Sequence, residues 1–298
     1  MRLVRSMTVR SMVATMLVLA SAAAHAVPAA GHWTLTWKPA RIVNGSPVLF
    51  RATTPRMAES LSAKWMGHEI VFTFDPTQKA WFAIAGVSQE TKPGTYPIEF
   101  HADGKLGPAL IDKQGIPVQK QRYPKVVVLK VPGRFTAPDP EQMKVIGRDK
   151  QIKAEAFKTV SAQREWKGSF ERPVTADISD VFGVQRVFNG AVQSTHQGLD
   201  FRVPTGTPVS AVNSGTVILA RSLYFEGNCI VIDHGQGLLT LYLHLSEMRV
   251  KEEDHVTKGQ LIALSGGTGR ATGPHLHLAV RWQGTYLNPA GLLALPLP

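Results

Sequence analysis

The feature that most constrains the fold is a succession of short apolar segments separated by turn-forming residues. In the first half, these segments are 33–37, 48–50, 70–74, 81–84, 96–100 and 126–129. The turn formers between them include Asn44-Gly45, Asp75-Pro76, Lys92-Pro93-Gly94 and Asp103-Gly104. Many short strands at this spacing favour two packed sheets. We therefore predict a mainly β chain with an N-terminal β-sandwich over residues 27–135.

The second half is also rich in predicted strands, at 207–212, 215–220, 228–233, 238–243, 260–264 and 275–282. Glycine-rich turns join them, and the connections are too short to contain crossover helices. Strands joined in this way pair antiparallel. We predict an antiparallel β domain over residues 170–298.

A proline-rich break at 138–140 separates the two predicted domains. Residues 141–166 then have a helix-compatible composition without an internal proline, and Asp139 is a candidate N-cap. Gly147 is a candidate interruption. We predict a linker over 136–169 that is partly helical.

The first 26 residues have the pattern of an export signal. Three arginines precede an apolar stretch at 12–20, and Ala24-His25-Ala26 matches a small-x-small cleavage site. The stretch is short for a membrane span, although an uncleaved anchor is the alternative. We expect a signal peptide at 1–26, no stable membrane span after its cleavage, and a location in the periplasm, outside the cell or in the cell envelope.

Charge and cysteine content restrict the partners. The formal net charge is +11, and loss of the three signal arginines leaves +8. Basic residues are interleaved with acids between 141 and 172, which is unlike a nucleic-acid-binding stripe, so anionic envelope polymers are the expected partners. The single cysteine, Cys229, excludes an internal disulfide. It lies in an apolar run, which favours a buried strand position over a nucleophile.

Five polar residues of the second half form a candidate metal site. Side chains alternate along a strand, so His275 and His277 are expected to face the same way, as are His196 and Asp200. His244 lies between the two pairs in sequence. Two imidazoles and one carboxylate match a catalytic zinc with an open position for water. Isolated histidines are nevertheless more often structural.

Three motifs occur in a specific order: His196-x-Gly198-x-Asp200, Tyr242-x-His244-Leu245 and Thr272-Gly273-Pro274-His275-x-His277. In order and approximate spacing, they resemble the LytM/lysostaphin-type zinc metallopeptidases, which cut peptide bonds in peptidoglycan. The resemblance covers about 182–289. A weaker resemblance, at Lys92-Pro93-Gly94-Thr95-Tyr96, links the N-terminal sandwich to bacterial immunoglobulin-like modules.

The resemblance implies a role for each of the five residues. His196, Asp200 and His277 would bind one zinc ion per chain, whereas His244 and His275 would serve catalysis without binding the metal. Zinc would polarise a scissile carbonyl and activate water. Either catalytic histidine could deprotonate that water and later protonate the leaving amine, and the sequence leaves the order open.

Other features leave alternatives open. Gly198, between two of the predicted ligands, permits either a close backbone approach or an ordinary tight turn. Arg186 and Asn189 could line a substrate groove or serve a loop. His234 is expected to be a turn residue.

Competing functions are less favoured. Two segments are similar to the half-motifs of biotinyl or lipoyl carriers, but residues 218–250 contain no lysine for modification. No GxSxG motif supports a serine hydrolase. The main alternative is a LytM-type regulator that activates cell-wall amidases without catalysis, and retention of all five residues argues against it. We expect a peptidoglycan endopeptidase whose bond, a direct D-Ala crosslink or a glycine bridge, and whose oligomeric state are open.

Overall fold

A computed structural model describes residues 34–54, 58–103, 110–123, 126–158, 161–190 and 192–298. The signal peptide expected at 1–26 lies outside the described residues. Among the described helices, none is both long and apolar enough to cross a membrane.

The first eight strands form two four-stranded antiparallel sheets. They are β1 (Thr34–Lys38), β2 (Pro47–Thr53), β3 (Ser60–Trp65), β4 (His68–Val71), β5 (Thr73–Asp75), β6 (Ala80–Gly86), β7 (Gly94–Asp103) and β8 (Leu110–Val118). The strand orders are β1-β2-β6-β5 and β4-β3-β7-β8. The sequence analysis missed β3 and β8. Polar and small residues dominate β3, and β8 contains a glycine and a proline, so neither has an extended apolar run.

The two N-terminal sheets pack through aromatic side chains. Phe50 of β2 meets Trp65 of β3 edge-on, with ring centroids 5.1 Å apart, and both side chains are fully buried. This geometry is favourable for aromatic pairs beyond the area that they bury. The described strands thus form a sandwich, and its immunoglobulin-like character stays a prediction.

The remaining strands build the C-terminal half. They are β9 (Val127–Leu129), β10 (Ile178–Asp180), β11 (Gln185–Phe188), β12 (Val192–Thr195), β13 (Gly198–Phe201), β14 (Pro208–Ser210), β15 (Gly215–Leu223), β16 (Gly227–Asp233), β17 (Leu238–Leu245), β18 (Glu247–Met248), β19 (His255–Val256), β20 (Leu261–Leu264), β21 (Leu276–Trp282) and β22 (Thr285–Leu287). The largest sheet has the order β10-β13-β21-β17-β16-β15-β19, with β22 beside β21. Two three-stranded sheets, β12-β11-β9 and β14-β20-β18, flank it.

The central strands of the large sheet are buried on both faces, which explains their nearly continuous apolar runs. On one face, Leu219, Val231 and Leu241 pack with Cys229 and the helix residue Ile152. The predicted buried strand position of Cys229 is confirmed. Burial raises the pKa of its thiol, which is unsuited to nucleophilic chemistry.

Helix α1 (Pro140–Ala156) follows a one-turn 3₁₀ helix at Gly133–Phe135, and α2 (Pro289–Leu293) comes near the end of the chain. Asp139 caps α1 in a capping box with Gln142, as the sequence predicted for the cap. Gly147 does not interrupt the helix. The helix ends at Ala156 and does not extend to 166 as predicted. Trp166 is buried in the core, and the backbone nitrogen of Glu165 donates to the carbonyl oxygen of His234.

Strand β9 joins the two halves of the chain. It pairs parallel with β11, so that Val127 lies opposite Arg186 and Leu129 opposite Phe188. The other strand pairs of the described sheets are antiparallel. A segment from the predicted N-terminal domain thereby becomes the edge of a C-terminal sheet.

The main apolar cluster also spans both halves. Leu287 of β22 is fully buried against Gly86 of β6, and the His68 ring lies 4.8 Å from that of Trp282. The division into 27–135, 136–169 and 170–298 remains our proposal for the organisation of the chain. In this proposal, the sheets of the two domains share one buried boundary.

Truncating a side chain at this boundary should therefore destabilise both halves. Leu287→Ala should lower the free energy of unfolding by about 2–5 kcal/mol, because it removes a buried side chain and leaves a cavity. Native-state hydrogen exchange should show faster exchange in both β6 and β17. Leu261→Ala, at an exposed leucine, is the control and should have little effect. Unchanged protection of β6 in Leu287→Ala would contradict a shared core.

His234, expected to be a turn residue, follows β16 directly before the turn to β17, and its side chain is fully buried. Its Nδ1 lies 2.7 Å from the carbonyl oxygen of Ser214, and its Nε2 lies 2.8 Å from Oγ1 of Thr240. Burial lowers the pKa of His234 to about 4, while the bond to Ser214 opposes the shift. Both ring nitrogens are thus satisfied, and this histidine is structural.

The lowered pKa of His234 makes stability depend on pH. The unfolded chain takes up a proton near pH 6.5 and the folded chain only near pH 4, so stability is complete above about 6.5 and falls as the pH drops towards 4. At pH 5, this single group should lower the free energy of unfolding by about 2 kcal/mol. Zinc-free wild type should therefore lose about that much more stability between pH 7.5 and pH 5 than His234→Gln does. Equal losses in denaturant unfolding would contradict this account.

Candidate metal centre

Strand register brings the predicted ligands together. In the antiparallel pair of β13 and β21, Asp200 lies directly opposite His277, and on the other side of β21, Leu243 of β17 is the residue opposite His277. His244 immediately follows Leu243. His196 lies just before β13, where its backbone nitrogen donates to the carbonyl oxygen of Val184. Neighbouring strands thus converge on one small volume.

Three candidate ligand atoms face one another. Asp200 Oδ1 lies 2.7 Å from His277 Nδ1 and 3.1 Å from His196 Nε2, and the two histidine nitrogens are 3.1 Å apart. All three residues are buried. The structure therefore brings together the three residues that the sequence singled out as metal ligands.

The hydrogen bond at the far side of His196 determines which nitrogen is free. Its Nδ1 lies 2.8 Å from the carbonyl oxygen of Val181, which can only accept, so Nδ1 carries the proton. In the neutral ring, Nε2 then presents a lone pair towards Asp200 and His277. Metal-binding histidines usually donate their other ring N–H to an acceptor such as a backbone carbonyl, which fixes the tautomer.

Asp200 is held as a carboxylate. Burial by itself would raise the pKa of Asp200, but the charges and hydrogen bonds of His277 and His196 outweigh burial and hold it well below its ordinary value. Its second oxygen, Oδ2, accepts a hydrogen bond of 2.6 Å from Arg186. Oδ1 is therefore left to face the two imidazoles.

The donor set fits zinc. Zinc binds imidazole nitrogen and carboxylate oxygen at about 2.0–2.2 Å, which places tetrahedral ligand atoms about 3.3 Å apart. The observed separations of 2.7–3.1 Å require only a small expansion. Without a proton or a cation between them, these lone pairs would repel one another. One zinc ion per chain matches the number, chemistry and arrangement of these ligands.

His244 and His275 lie beside this set. Their ring centroids are 4.8 Å apart, and that of His244 is 6.0 Å from that of His277. His244 Nδ1 lies 2.8 Å from the carbonyl oxygen of Thr268, and His275 Nδ1 lies 2.8 Å from that of Gly273. Each Nδ1 thus donates to a carbonyl. In the neutral rings, both Nε2 atoms are free to accept a proton.

The backbone of His244 has a positive φ of 63°, which is uncommon for a residue other than glycine. Burial lowers the pKa of His244 to about 3, and the neighbouring His275 and His277 add to the shift. His244 is therefore neutral at physiological pH. His275 is less buried, and its Nε2 is 3.9 Å from Asp200 Oδ1.

The residues around the ligands include one that the sequence analysis missed. Asp180 of β10 accepts a hydrogen bond of 3.0 Å from Nε of Arg186, which also bonds Asp200. No local motif marks Asp180, because its position depends on the pairing of β10 with β13. By contrast, the side chain of Asn189 accepts a hydrogen bond from the backbone nitrogen of Val131 and donates one to its carbonyl oxygen. Asn189 therefore holds the loop at Val131 in place.

Two clefts flank the ligands. One, of about 150 Å³, is lined by His196, His277 and Lys153 among others. The other, of about 340 Å³, is lined by Asp200, His275 and residues of β9. Arg186, Phe188, His244 and Arg270 line both. The candidate ligands thus border two clefts that share four lining residues, and together we call these clefts the groove.

Gly198 permits the close approach of His277, one of the two roles left open by the sequence. A Cβ at position 198 would lie 2.4 Å from Nε2 of His277 and 2.6 Å from the backbone oxygen of Leu278. Both contacts are far inside van der Waals distance. The absence of a side chain here allows the His277 ring to lie against β13.

Gly198→Ala should therefore displace the His277 ring and weaken zinc binding by about 10- to 100-fold, the scale for disturbed support of a ligand. A competition titration with a zinc chelator measures this change. Gly147→Ala is the matched control, because a Cβ there meets no atom within 4 Å. Unchanged zinc affinity in Gly198→Ala would show that the ring is not held by this contact.

Comparison with known proteins identifies the domain that contains the centre. Residues 194–289 match the model of peptidase family M23. A crystal structure assigned to peptidase M23 from Pseudomonas aeruginosa superimposes with a TM-score of 0.64 and 26% identity, over 85% of this chain and 95% of the other. The similarity of fold therefore extends beyond the matched domain.

Sequence relatives match over part of the chain. Peptidoglycan DD-endopeptidase ShyA of Vibrio cholerae is 47% identical over 93 residues, which are 31% of this chain and 22% of the relative. DD-carboxypeptidase/endopeptidase Mpg of Neisseria meningitidis is 39% identical over 134 residues, 44% of this chain and 31% of the relative. The chain thus matches less than a third of the length of either relative. Residues 194–289, which contain the candidate metal centre, are thus similar to peptidase family M23.

Proposed function

We propose that this protein is a zinc-dependent endopeptidase that hydrolyses peptide bonds in peptidoglycan. The observation that carries the proposal is the convergence of Asp200, His196 and His277 on one point, with His244 and His275 beside it. The match of residues 194–289 to the model of peptidase family M23 and the similarity to enzymes named as peptidoglycan DD-endopeptidases support it.

In this proposal, His196 Nε2, Asp200 Oδ1 and His277 Nδ1 hold zinc. The bound ion supplies Lewis acidity, which polarises a carbonyl and lowers the pKa of water towards 7. Arg186 donates a hydrogen bond to the Asp200 carboxylate, and the carbonyl oxygen of Val181 accepts one from the His196 imidazole, so both groups are held in orientation. The protein thereby keeps three ligands in place while the groove stays open to a substrate.

His244 and His275 would move the proton. The Nδ1 of each ring is bonded to a backbone carbonyl, which leaves Nε2 to accept a proton from water and return it to the leaving amine. Both rings are held at fixed orientation before substrate binds.

The alternative is a regulator that activates amidases without catalysis. Such a role needs neither a complete ligand set nor two histidines beside it. Here the five side chains occupy one site, and the pKa of the Asp200 carboxyl is held low by its neighbours. These features support catalysis instead.

The relatives also favour a particular bond. Several are named DD-endopeptidases, so we propose the direct crosslink through D-Ala as the target in preference to a glycine bridge. Such a substrate lies outside the cytoplasmic membrane. Export by the signal expected at 1–26 to the periplasm or the cell surface, and a net charge of +8 after its cleavage, fit the anionic cell wall.

Mass analysis of released muropeptides tests the proposal. Zinc-loaded mature protein should convert directly crosslinked dimers to monomers with free D-Ala carboxyl groups, and should leave glycine-bridged walls intact. Release of stem peptides from the glycan only when an amidase is added would overturn the proposal in favour of the regulator. Cleavage of glycine bridges would overturn the choice of bond.

Substitutions should separate metal binding from proton transfer. His277→Ala should lose zinc, because it removes one of three ligands. His244→Ala and His275→Ala should retain most zinc but lose at least about 10²-fold in activity, the scale for a proton-transfer group. Metal analysis and kinetics on the same preparations measure both. Loss of zinc in His244→Ala or His275→Ala as complete as in His277→Ala would contradict the assignment.

A further inference from the structure

Arg270 lies just before the motif at 272–277 that contains His275 and His277, and it occupies an unusual environment. Its guanidinium group lies between two aromatic rings, 4.7 Å from the centroid of Phe188 and 4.7 Å from that of Phe225. The side chain is half-buried. Its backbone nitrogen donates to the carbonyl oxygen of Phe225, which fixes the base of the side chain. Arg270 is thus rigidly positioned.

The guanidinium has no acceptor among the described residues. Its neighbours in the clefts are already paired: Lys153 with Glu226, and Arg186 with Asp180 and Asp200. Arg270 itself forms neither a side-chain hydrogen bond nor a salt bridge within the part of the chain that the structure describes. A half-buried cation with five unused N–H groups is a feature that a ligand with a negative charge would complete.

The location of Arg270 connects it with the groove. It lines both clefts, together with the proton-transfer residue His244. Arg202 also lines one of them and has no partner among the described side chains, but it is exposed. A carboxylate in the groove would therefore meet Arg270 where water is partly excluded and charge-assisted hydrogen bonds are stronger.

We propose that Arg270 is a specificity-determining residue that binds a carboxylate of the peptide substrate. The proposal rests on the proposed endopeptidase function, because it concerns the same groove. The two rings hold the guanidinium plane between them, and its edge can bond a carboxylate with two parallel N–H groups. The chemistry applies equally to a C-terminal α-carboxylate and to a carboxylate on a side chain of the peptide.

Matched synthetic crosslinked peptides distinguish these sources. One substrate has all its carboxylates free, a second has the C-terminal carboxylate replaced by a carboxamide, and a third has a side-chain carboxylate replaced in the same way. Full-length zinc-loaded mature protein should cleave the free acid with a kcat/KM about 10- to 100-fold above that of one of the two amides, the scale of a lost charge-assisted bond. The amide that is affected identifies the carboxylate.

Arg270→Gln should abolish this preference by lowering kcat/KM for the free acid to the level of the amide, with zinc content unchanged. Arg270→Lys keeps the charge but loses the planar fork, and should retain part of the preference. Arg134→Gln is the matched control: Arg134 also stacks on a ring, that of Phe135 at 4.9 Å, but lines neither cleft. Its acid-to-amide ratio should equal that of the wild type.

The outcomes are distinct. If wild type cleaves none of the three substrates, the proposed function fails. If wild type cleaves all three at equal rates, the enzyme stands and the role of Arg270 is overturned. A preference for the acid that persists in Arg270→Gln, or that Arg134→Gln loses to the same extent, would also overturn it. The wild-type comparison decides the matter even if Arg270→Gln does not fold.

Discussion

The cross-strand pair of Asp200 and His277 is the contact on which the site depends. The Cβ atoms of directly opposite residues in an antiparallel strand pair lie within about 5 Å of each other. Because Asp200 is paired with His277, the register of β13 and β21 places the carboxylate beside the imidazole. If one of the two strands slipped by one residue, its ligand side chain would turn to the other face of the sheet, away from its partner. Burial of the flanking apolar residues, Leu199 and Leu278, opposes such a slip. The packing of the core thus also maintains the ligand geometry.

The ligands are supported by residues from several separate segments of the chain. Arg186 and Asp180 lie on β11 and β10 and bond to Asp200 or to each other, while Gly198 leaves room for the ring of His277. Beyond them, α1 packs against one apolar cluster of the large sheet, and other residues of this sheet belong to the main apolar cluster, which also includes residues of the N-terminal sandwich. Rigid support of this kind keeps catalytic groups in position without reorganisation during the reaction.

Much of this could be predicted from the sequence. Period-two spacing predicted that His275 and His277 face the same way; in the structure His275 precedes β21, and both rings lie within 3.9 Å of Asp200 Oδ1. The three motifs pointed to the family model that 194–289 matches. His196 and Asp200 were also expected to face the same way, as residues of one strand. In the structure, His196 precedes β13, and its backbone bond to Val184 positions it instead. Local sequence motifs are enough to predict the ligands, because short strands and turns fix the spacing between them.

Features that depend on long-range pairing could not be predicted. The parallel pairing of β9 with β11 and the contact between His68 and Trp282 join residues that are far apart in the chain. Helix α1 ends at Ala156 although the helix-compatible composition continues to 166, where Trp166 is buried in the core, and helix propensity does not contain such tertiary contacts. Similarly, the environment of Arg270 needs two rings from separate strands and turns. None of these features leaves a periodic signal in the sequence.

The central claim is that Asp200, His196 and His277 bind the metal while His244 and His275 do not. Anomalous diffraction at the zinc edge from crystals of the mature protein tests it most directly. The account predicts one peak at about 2.0–2.2 Å from His196 Nε2, Asp200 Oδ1 and His277 Nδ1, with no bond to the other two histidines. A peak bonded to His244 or His275, or no peak in zinc-soaked crystals, would contradict it.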